Sequence, residues 1–398
     1  MPQSMEVSVN PKVLIWARKS NGKKIEDVAK RVSVKEDIVK RWESGEKKPT
    51  LIQIKKLSKY YKRSLAVFFL PEPPEEPSIP KDFRSLPGED QLEISTKTRL
   101  AMRRARRLQS IAKELNEKLV RNIDEYKGKF KISDDPEELS KKIREILKIP
   151  IEMQYDWNSE NDALNTWKKS IEELGILVFQ TSIPIEDARA FSITDDGVPV
   201  IVLNTKDIIK ARIFSLLHEL GHILLEKGGI CDLSKGGLWE INKQKIPSSE
   251  VKNIEIFCNH LAGATLVPKN ELLNQNIVIN KGIGDEWSPQ DLGRLAKRFW
   301  VSREVILRRL VIFNRASKNY YKQKHDEWEK KNLKRLGKGG GGARNIPKEC
   351  IQKNGKPFVS LVLESYRKER ITSSDVSDYL NIRMKYLTKV EQLIGAKV

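Results

Sequence analysis

The chain contains few residues of the kinds that build cross-linked or membrane-bound proteins. The only cysteines among its 398 residues, Cys231, Cys258 and Cys350, form no disulfide framework, so the composition favours a reducing compartment. No stretch approaches the roughly 18 consecutive apolar residues of a membrane-spanning helix, and the N-terminus lacks the apolar core of a signal peptide. We therefore expect a cytoplasmic protein that has no membrane partner.

Positive charge is unevenly distributed along the chain. Residues 1–70 carry a net charge of +10 and residues 288–398 a net charge of +15, whereas residues 71–287 carry −5. Basic segments favour a polyanionic partner, usually nucleic acid, although charge of this kind also serves solubility. The sequence therefore predicts two basic ends around a mildly acidic middle.

Histidine is rare, with four in the chain, yet two of them stand in His218-Glu-Leu-Gly-His222. Four residues apart on a helix, their side chains project from the same face, which is the spacing that two imidazoles need to bind one zinc ion. Glu219 between them is placed to accept a proton from a zinc-bound water. The pentapeptide therefore predicts Zn²⁺ as cofactor, His218 and His222 as its ligands, and Glu219 as the catalytic residue.

A catalytic zinc site needs a third protein ligand and an open position for water. The two remaining histidines, His260 and His325, are candidates for the third ligand. Glu255 is a better candidate, because it lies with Asn259 on one side of a predicted helix that Pro268 closes. Spacing alone gives Glu255 little advantage over a solvated helix glutamate.

The hydrophobic periodicities predict a mainly α-helical chain with a small α+β domain. Short apolar strands are expected at residues 175–180, 188–193 and 198–204, and Asp195-Asp-Gly197 predicts a turn between the last two. A helix over residues 206–226 carries the two histidines, and its apolar residues lie nearly all round it, so we expect it to be buried. If the strand at residues 198–204 is an edge of the sheet, it offers a substrate a place to bind as an added strand.

Residues 11–70 have the pattern of five short helices. The second, Ile25-Glu-Asp-Val-Ala-Lys-Arg31, is joined by a tight turn to the third at residues 35–43, which Trp42-Glu-Ser-Gly45 ends. This segment resembles the Cro/repressor-like (XRE-type) helix-turn-helix family, in which the second helix of the motif lies in the major groove of DNA. The resemblance implies DNA as a partner. The alternative is a protein-interaction domain of the same fold.

The helix at residues 35–43 supplies the predicted DNA contacts. The side chains expected to face the bases are those of Lys35, Asp37, Ile38 and Arg41. The side chains expected near phosphates are those of Lys40, Lys47 and Lys48. Glu36 and Asp37 disfavour phosphate contact at the end of this helix that enters the groove. Binding that is weak, or that depends on a homodimer, is therefore an open alternative.

Three further segments accompany the zinc-binding pentapeptide. They are Val198-Pro-Val-Ile-Val-Leu-Asn204, Glu255-x-x-Cys-Asn259-x-x-Ala262 and Leu266-Val-Pro268. Together with the pentapeptide and the helix-turn-helix head, they resemble the ImmA/IrrE family of zinc metallopeptidases. The resemblance implies a zincin-like body in which His218, His222 and Glu255 bind zinc and Glu219 is catalytic. The family usually has Phe-Ala where this chain has Leu261-Ala262, which is a change in packing.

Prolines and glycines divide the chain into four predicted domains. A helix-turn-helix domain at residues 1–70 is followed by a proline-rich linker and a long spacer helix at residues 71–130. Residues 131–317 form the metallopeptidase domain, and residues 318–398 form a basic helical tail with a glycine-rich hinge at residues 339–342. Residues 288–313 are again helix-turn-helix-like, and we interpret them as packing within the peptidase domain. The module after the hinge gives no functional signal beyond its positive charge.

Two functional hypotheses follow from these patterns. The first is a DNA-tethered zinc endopeptidase, and the family resemblance implies a repressor or other regulatory protein as its substrate, in stress response or mobile-element control. The alternative is a transcriptional regulator or antitoxin-like protein with a non-catalytic metal site, closed by a cysteine such as Cys231 or Cys258. Glu219 favours the enzyme, because a structural site needs no proton acceptor between its ligands. A nuclease is disfavoured, because nuclease sites use carboxylate-rich Mg²⁺ clusters.

Overall fold

The computed structural model describes residues 5–74, 95–119, 130–194, 198–225, 230–231, 249–281, 286–335 and 344–395. The chain divides into two compact units, Met1–Ile79 with Gln91–Leu100, and Pro80–Asp90 with Ala101–Val398. Several predicted features lie outside the described residues, namely most of the proline-rich connector, the turn at residues 195–197, the side chain of Cys231 and the glycine run at residues 339–342. None of the described helices is long and apolar enough to cross a membrane.

The head of the first unit consists of short helices around one small core. They are α1 (Pro11–Lys19), α2 (Ile25–Val32), α3 (Glu36–Ser44), α4 (Leu51–Tyr61) and a 3₁₀ turn (Leu65–Phe69). Thr50 caps α4 by accepting a hydrogen bond from the amide of Gln53, whose side chain accepts one from the Thr50 amide in return. The five predicted helices are therefore confirmed, with the last of them in 3₁₀ form.

A buried ion pair joins α1 to α3 in the head. The guanidinium of Arg18 donates two hydrogen bonds of 2.7 Å to the carboxylate of Glu43, and both side chains are largely buried. Hydrogen bonding to Glu43 raises the pKa of Arg18, although burial acts to lower it. Because two charges are withdrawn from water together, the loss of either one leaves its partner uncompensated.

The rest of the chain supplies a small sheet and the remaining helices. The strands are β1 (Leu177–Thr181), β2 (Ala190–Ile193), β3 (Val200–Asn204) and β4 (Ile230–Cys231). The helices are α5 (Thr96–Leu119), α6 (Pro136–Ile146), α7 (Ile151–Tyr155), α8 (Glu160–Glu173), α9 (Ile209–Leu224), α10 (Ser249–Leu266), α11 (Lys269–Leu273), α12 (Asn276–Ile279), α13 (Pro289–Arg298), α14 (Arg303–Ile312), α15 (Lys318–Arg335), α16 (Ile346–Asn354), α17 (Lys356–Arg367), α18 (Ser373–Leu380), a 3₁₀ turn (Met384–Tyr386) and α19 (Leu387–Ile394). The predicted class, mainly α with a small α+β part, is confirmed.

The sheet has the strand order β1-β3-β2-β4. β3 pairs in parallel with β1, with Leu177 opposite Val200, and antiparallel with β2, with Ile193 opposite Val200. The strand at residues 198–204 is therefore not an edge of the sheet, because both sides of β3 are already hydrogen-bonded, and the condition for adding a substrate strand to it is not met. All five residues of β3 are buried, as expected for a central strand covered on both faces.

Alternate residues of the strands enter two different cores. Val178, Ile201 and Leu203 pack with the apolar residues of α8, α9 and α10. Leu177, Val200 and Val202 pack on the opposite face with residues of α5 and of the C-terminal helices. The small sheet is thus the partition between the layer that carries the two histidines and a second helical layer.

The long helix α5 differs from its predicted role as a spacer. Its residues Met102, Ala105, Leu108, Ala112 and Leu115 are all buried in the core that α5 shares with the sheet and with α16–α19. Their spacing of three and four residues forms a continuous apolar stripe along one face of the helix. This buried stripe shows that residues 102–115 of α5 pack within the body, although the helix also carries exposed arginines.

The ion pair between α1 and α3 can be tested by substitution. Arg18→Met is expected to lower the free energy of unfolding of the head by about 2–3 kcal/mol, because Glu43 keeps its charge without a buried partner. Hydrogen exchange of peptides from α1–α4 in the full chain measures the change. The double variant Arg18→Met/Glu43→Leu removes both charges and is expected to recover most of the protection. Unchanged exchange in the single variant would contradict this role of the pair.

Candidate metal centre

Helix α9 is almost entirely buried. Every residue from Arg212 to Leu224 is buried, although the helix contains two histidines and a glutamate. α9 packs against β2 and β3 on one side and against α8 and α10 on the others. Three ionisable side chains in such a position need compensating partners, since burial of an isolated charge is strongly unfavourable.

Gly221 allows α10 to approach α9 very closely. A Cβ atom at Gly221 would lie 3.1 Å from Cys258 Sγ and 3.5 Å from Cys258 Cα, so a side chain there would require Cys258 to shift by a few tenths of an ångström. Glycine inside a helix is about 1 kcal/mol less favourable than alanine, and here the close approach explains it. Glu255 lies about one turn before Cys258 on α10. The close contact of the two helices at Cys258 therefore brings Glu255 beside the two histidines.

His218, His222 and Glu255 converge at this contact. The two Nε2 atoms are 3.0 Å apart, and the carboxylate of Glu255 lies 3.3 Å from His218 Nε2 and 3.1 Å from His222 Nε2. Ligands about 2.0–2.1 Å from a tetrahedral zinc ion would lie about 3.3 Å from one another. Within the described residues, these three form the only group of metal-ligating side chains. Donor types and spacing both fit a zinc ion.

The three candidate ligands differ in exposure. The imidazoles of His218 and His222 are fully enclosed, whereas 30% of the Glu255 side chain is exposed. Burial lowers the pKa of His218, although Glu255 and Asn259 act in the opposite direction. Burial raises the pKa of Glu255, but the two imidazoles more than offset this effect and hold it well below its usual range. The site therefore has a buried imidazole floor and a carboxylate at its accessible side.

Glu219 occupies the neighbouring face of the same helix. An α-helix turns by about 100° per residue, which places His218, His222 and Glu219 within one arc of about 100°. The Glu219 side chain has no exposed surface. A carboxylate held beside the ligands is what proton transfer at this site requires.

Asn259 is a residue to which the sequence assigned no role. It follows Glu255 by one helical turn, and its side chain lies close enough to His218 to raise the pKa of that imidazole. A polar side chain beside a metal-ligating histidine can orient its ring. The signal available in the sequence was its spacing of four residues from Glu255.

The alternative third ligands lie elsewhere. His260 Nε2 is 2.7 Å from Glu137 Oε1, and this carboxylate also accepts two hydrogen bonds from Arg309. His325 Nδ1 is 3.2 Å from Glu304 Oε1, and its ring stacks on Tyr321. Neither histidine joins the three-residue group.

Cys258 was a candidate for closing a structural metal site. Its Sγ packs where a Gly221 side chain would be, and its thiol interacts with His222. Cys258 does not belong to the three-ligand group. Burial also raises the pKa of the thiol, which disfavours the thiolate that binds metal.

The predicted DNA-contacting residues lie at the N-cap of α3, on α3 and in the turn that follows it. Lys35, Asp37, Lys40, Arg41, Lys47 and Lys48 are exposed, and Ile38 is half-buried. Arg41 Nε lies 3.0 Å from Asp37 Oδ2, so one of the cations on this face is already paired. DNA contact by these residues remains a prediction.

The second helix-turn-helix-like segment, α13–α14, is part of the body. α14 buries Val305, Ile306, Leu307, Arg309, Leu310 and Val311. Arg309 donates a hydrogen bond of 3.0 Å to the carbonyl of Val267, beyond the end of α10. This burial favours packing over DNA contact for α14.

Comparison with known families agrees with this organisation. Residues 171–311 match the IrrE N-terminal-like domain of the Peptidase_M78 family, and residues 14–68 match the helix-turn-helix family HTH_3. The first match contains His218, Glu219, His222 and Glu255, and the second contains α2 and α3. No curated protein matches the chain. The two family matches confirm both resemblances, so the chain combines a helix-turn-helix domain with a domain of a peptidase family.

Metal content tests the ligand assignment directly. His222→Ala and Glu255→Ala are each expected to lower zinc affinity by more than tenfold, because each removes one of three protein ligands. His325→Gln is the matched control, since it alters a buried histidine outside the ligand group and outside the contacts of α10. Zinc per chain after dialysis against a weak chelator is the measurement. Equal zinc loss in the control and in Glu255→Ala would contradict the assignment of Glu255.

The positioning role of Asn259 has its own test. Asn259→Ala is expected to weaken zinc binding by about 10–100-fold while leaving one zinc per chain at saturation, because His218 loses an orienting partner. Competition with a fluorescent chelator gives the affinity. An affinity equal to that of the unmodified chain would contradict this role.

Proposed function

We propose that the chain is a zinc-dependent endopeptidase, tethered to DNA by its head, that cleaves a regulatory protein such as a transcriptional repressor. The convergence of His218, His222 and Glu255 within 3.0–3.3 Å of one another is the observation that carries this proposal. Two imidazoles and one carboxylate leave the fourth position of a zinc ion open, as catalytic sites do.

The chemistry follows from the residues around that position. A bound zinc ion supplies a Lewis acid for the scissile carbonyl and lowers the pKa of water to about 7. The carboxylate of Glu219 takes a proton from the attacking water and then delivers it to the nitrogen of the leaving amine. Its complete burial places this proton transfer in a site of low dielectric constant, where charges interact strongly.

Substrate access follows from the difference in exposure among the ligands. Because both imidazoles are enclosed and Glu255 is partly exposed, the scissile bond approaches from the side of Glu255. Attachment to DNA through the head raises the local concentration of proteins bound nearby. A repressor on the same DNA is the substrate class that this arrangement favours.

A regulator with a structural metal site is the second candidate function. The observation that favours it is the thiol of Cys258, which interacts with His222. A structural site closes its fourth position with such a group, and it needs no proton acceptor at Glu219. The two candidates therefore differ in the outcome of one substitution.

Glu219→Gln separates the two candidates. It preserves the size of the side chain and removes the proton acceptor, so peptide cleavage is expected to fall by about 10²–10⁴-fold, with zinc content unchanged. Cleavage is measured by mass spectrometry on regulators encoded beside the gene and on an unstructured peptide library. Glu173→Gln, at an exposed position of α8, is the matched control and is expected to retain activity.

The contrary outcomes of this experiment are distinct. Equal cleavage by the unmodified chain and Glu219→Gln would contradict the role of Glu219. Zinc and DNA binding by both proteins, without cleavage of any substrate by either, would establish the regulator instead.

A further inference from the structure

The C-terminal module repeats the backbone geometry of the helix-turn-helix in the head. In the head, Ser33 follows α2 with φ 61°, and in the C-terminal module Asn381 follows α18 with φ 53°. The amide of the next residue donates to a carbonyl five residues earlier in both cases, Val34 to Ala29 at 3.0 Å and Ile382 to Ser377 at 3.1 Å. The next helical segment begins three residues after the left-handed residue, at Glu36 in the head and Met384 in the module.

The two segments also share one burial pattern. Counted from the left-handed residue, positions −5, −1, +6 and +9 are buried apolar residues in both: Val28, Val32, Val39 and Trp42 in the head, and Val376, Leu380, Leu387 and Val390 in the module. These positions fix how the second helix packs on the first. The segment at residues 384–394 therefore presents the same face to solvent as α3 does.

The exposed faces of the two second helices differ in charge. Positions +2, +4 and +8 are Lys35, Asp37 and Arg41 in the head, and Arg383, Lys385 and Lys389 in the module, all exposed. In the head the acidic residue pairs with Arg41, which neutralises part of the face. Within the described residues, no carboxylate pairs with any of the three cations of the module. This face is uniformly positive.

Glu391, the acidic residue nearest to these cations in sequence, pairs with a cation of another helix. Glu391 is mostly buried, and its Oε1 lies 3.1 Å from Nη2 of Arg367 on α17. Tyr386 stands among the three cations, with Lys385 Nζ 5.1 Å from its ring centroid. Cations interleaved with an aromatic residue on one helical face match the chemistry of a nucleic-acid surface.

The segment α13–α14 contains the same turn as the C-terminal module, but the two segments differ in the exposure of their second helix. It has the same turn, with Trp300 at φ 56° and the amide of Val301 donating to Ala296 at 3.0 Å. Its second helix, however, is buried within the body and has no free face for DNA. The second helix of the C-terminal module keeps its outer face in solvent.

We propose that α18 and residues 384–394 form a second DNA-binding surface, in which Arg383, Lys385 and Lys389 contact the phosphates of duplex DNA. The geometry of the turn selects the duplex, because this arrangement of two helices fits one of them into the major groove. The contacts are mainly electrostatic and independent of base sequence, since lysine and arginine here meet phosphate charges.

Salt dependence of DNA binding tests this surface in the full chain. Each phosphate contact contributes about 0.9 to the slope of log K against log salt, so Arg383→Ala/Lys385→Ala/Lys389→Ala is expected to reduce the slope by about 2–3. Fluorescence anisotropy with a labelled random duplex at a series of salt concentrations gives the slope. The matched control is Lys348→Ala/Lys353→Ala/Lys356→Ala, which removes the same charge from exposed positions of α16 and α17.

The control separates local contact from bulk charge. A reduction of less than about 1 in the control, beside the full reduction in the first variant, supports the proposal. Equal reductions in both variants, or none in the first, would overturn it. Acetylation footprinting of the unmodified chain gives a second readout that needs no variant. Duplex DNA is expected to protect Lys385 and Lys389 and to leave Lys348 and Lys353 reactive, whereas equal reactivity with and without DNA would overturn the proposal.

Discussion

The close contact between α9 and α10 is the constraint on which the candidate site depends. Two histidines one turn apart offer two donors, but the third must come from another helix, and it arrives only if the backbones nearly touch. Gly221 on α9 leaves the space that Cys258 of α10 fills, with 3.1 Å between the hypothetical Cβ and Sγ. A side chain at Gly221 would force Cys258 to give way by a few tenths of an ångström, at a contact about one turn from Glu255.

Much of the body serves to hold α10 in that place. At the C-terminal end of α10 and just beyond it, three consecutive carbonyls accept hydrogen bonds from buried side chains of other helices. Arg144 donates to Thr265 at 2.7 Å, Gln154 to Leu266 at 2.9 Å, and Arg309 to Val267 at 3.0 Å. Carbonyls at a helix end lack partners within the helix, so these donors both satisfy and anchor them. Glu137 completes this anchor by binding Arg309 and His260. Burial acts to raise the pKa of Glu137, but these two contacts lower it to about 2.

The sequence indicates the candidate ligands more directly than it indicates the surroundings of the site. His218 and His222 follow from helical periodicity alone, since four residues place two side chains on one face. Glu255 required the family resemblance, because a contact between two helices leaves no periodic signal in either one. The position of β3 inside the sheet, and the burial of one face of α5, depend on pairings between distant segments, which local patterns do not determine. In the C-terminal module, apolar residues such as Val376 and Leu380 were visible in the sequence. That they occupy the same positions as the buried residues of the head, counted from the left-handed residue, could be recognised only from the turn at Asn381.

The coordination sphere of the bound metal distinguishes a catalytic site from a structural one. Zinc-edge X-ray absorption on the full chain separates sulfur ligands from nitrogen or oxygen ligands and counts imidazoles by their outer-shell scattering. We predict one zinc ion per chain with two histidine nitrogens and two oxygens, from Glu255 and from water, all at about 2.0–2.2 Å, and no sulfur. A zinc–sulfur distance of about 2.3 Å would contradict it, because a cysteine would then close the position that hydrolysis requires.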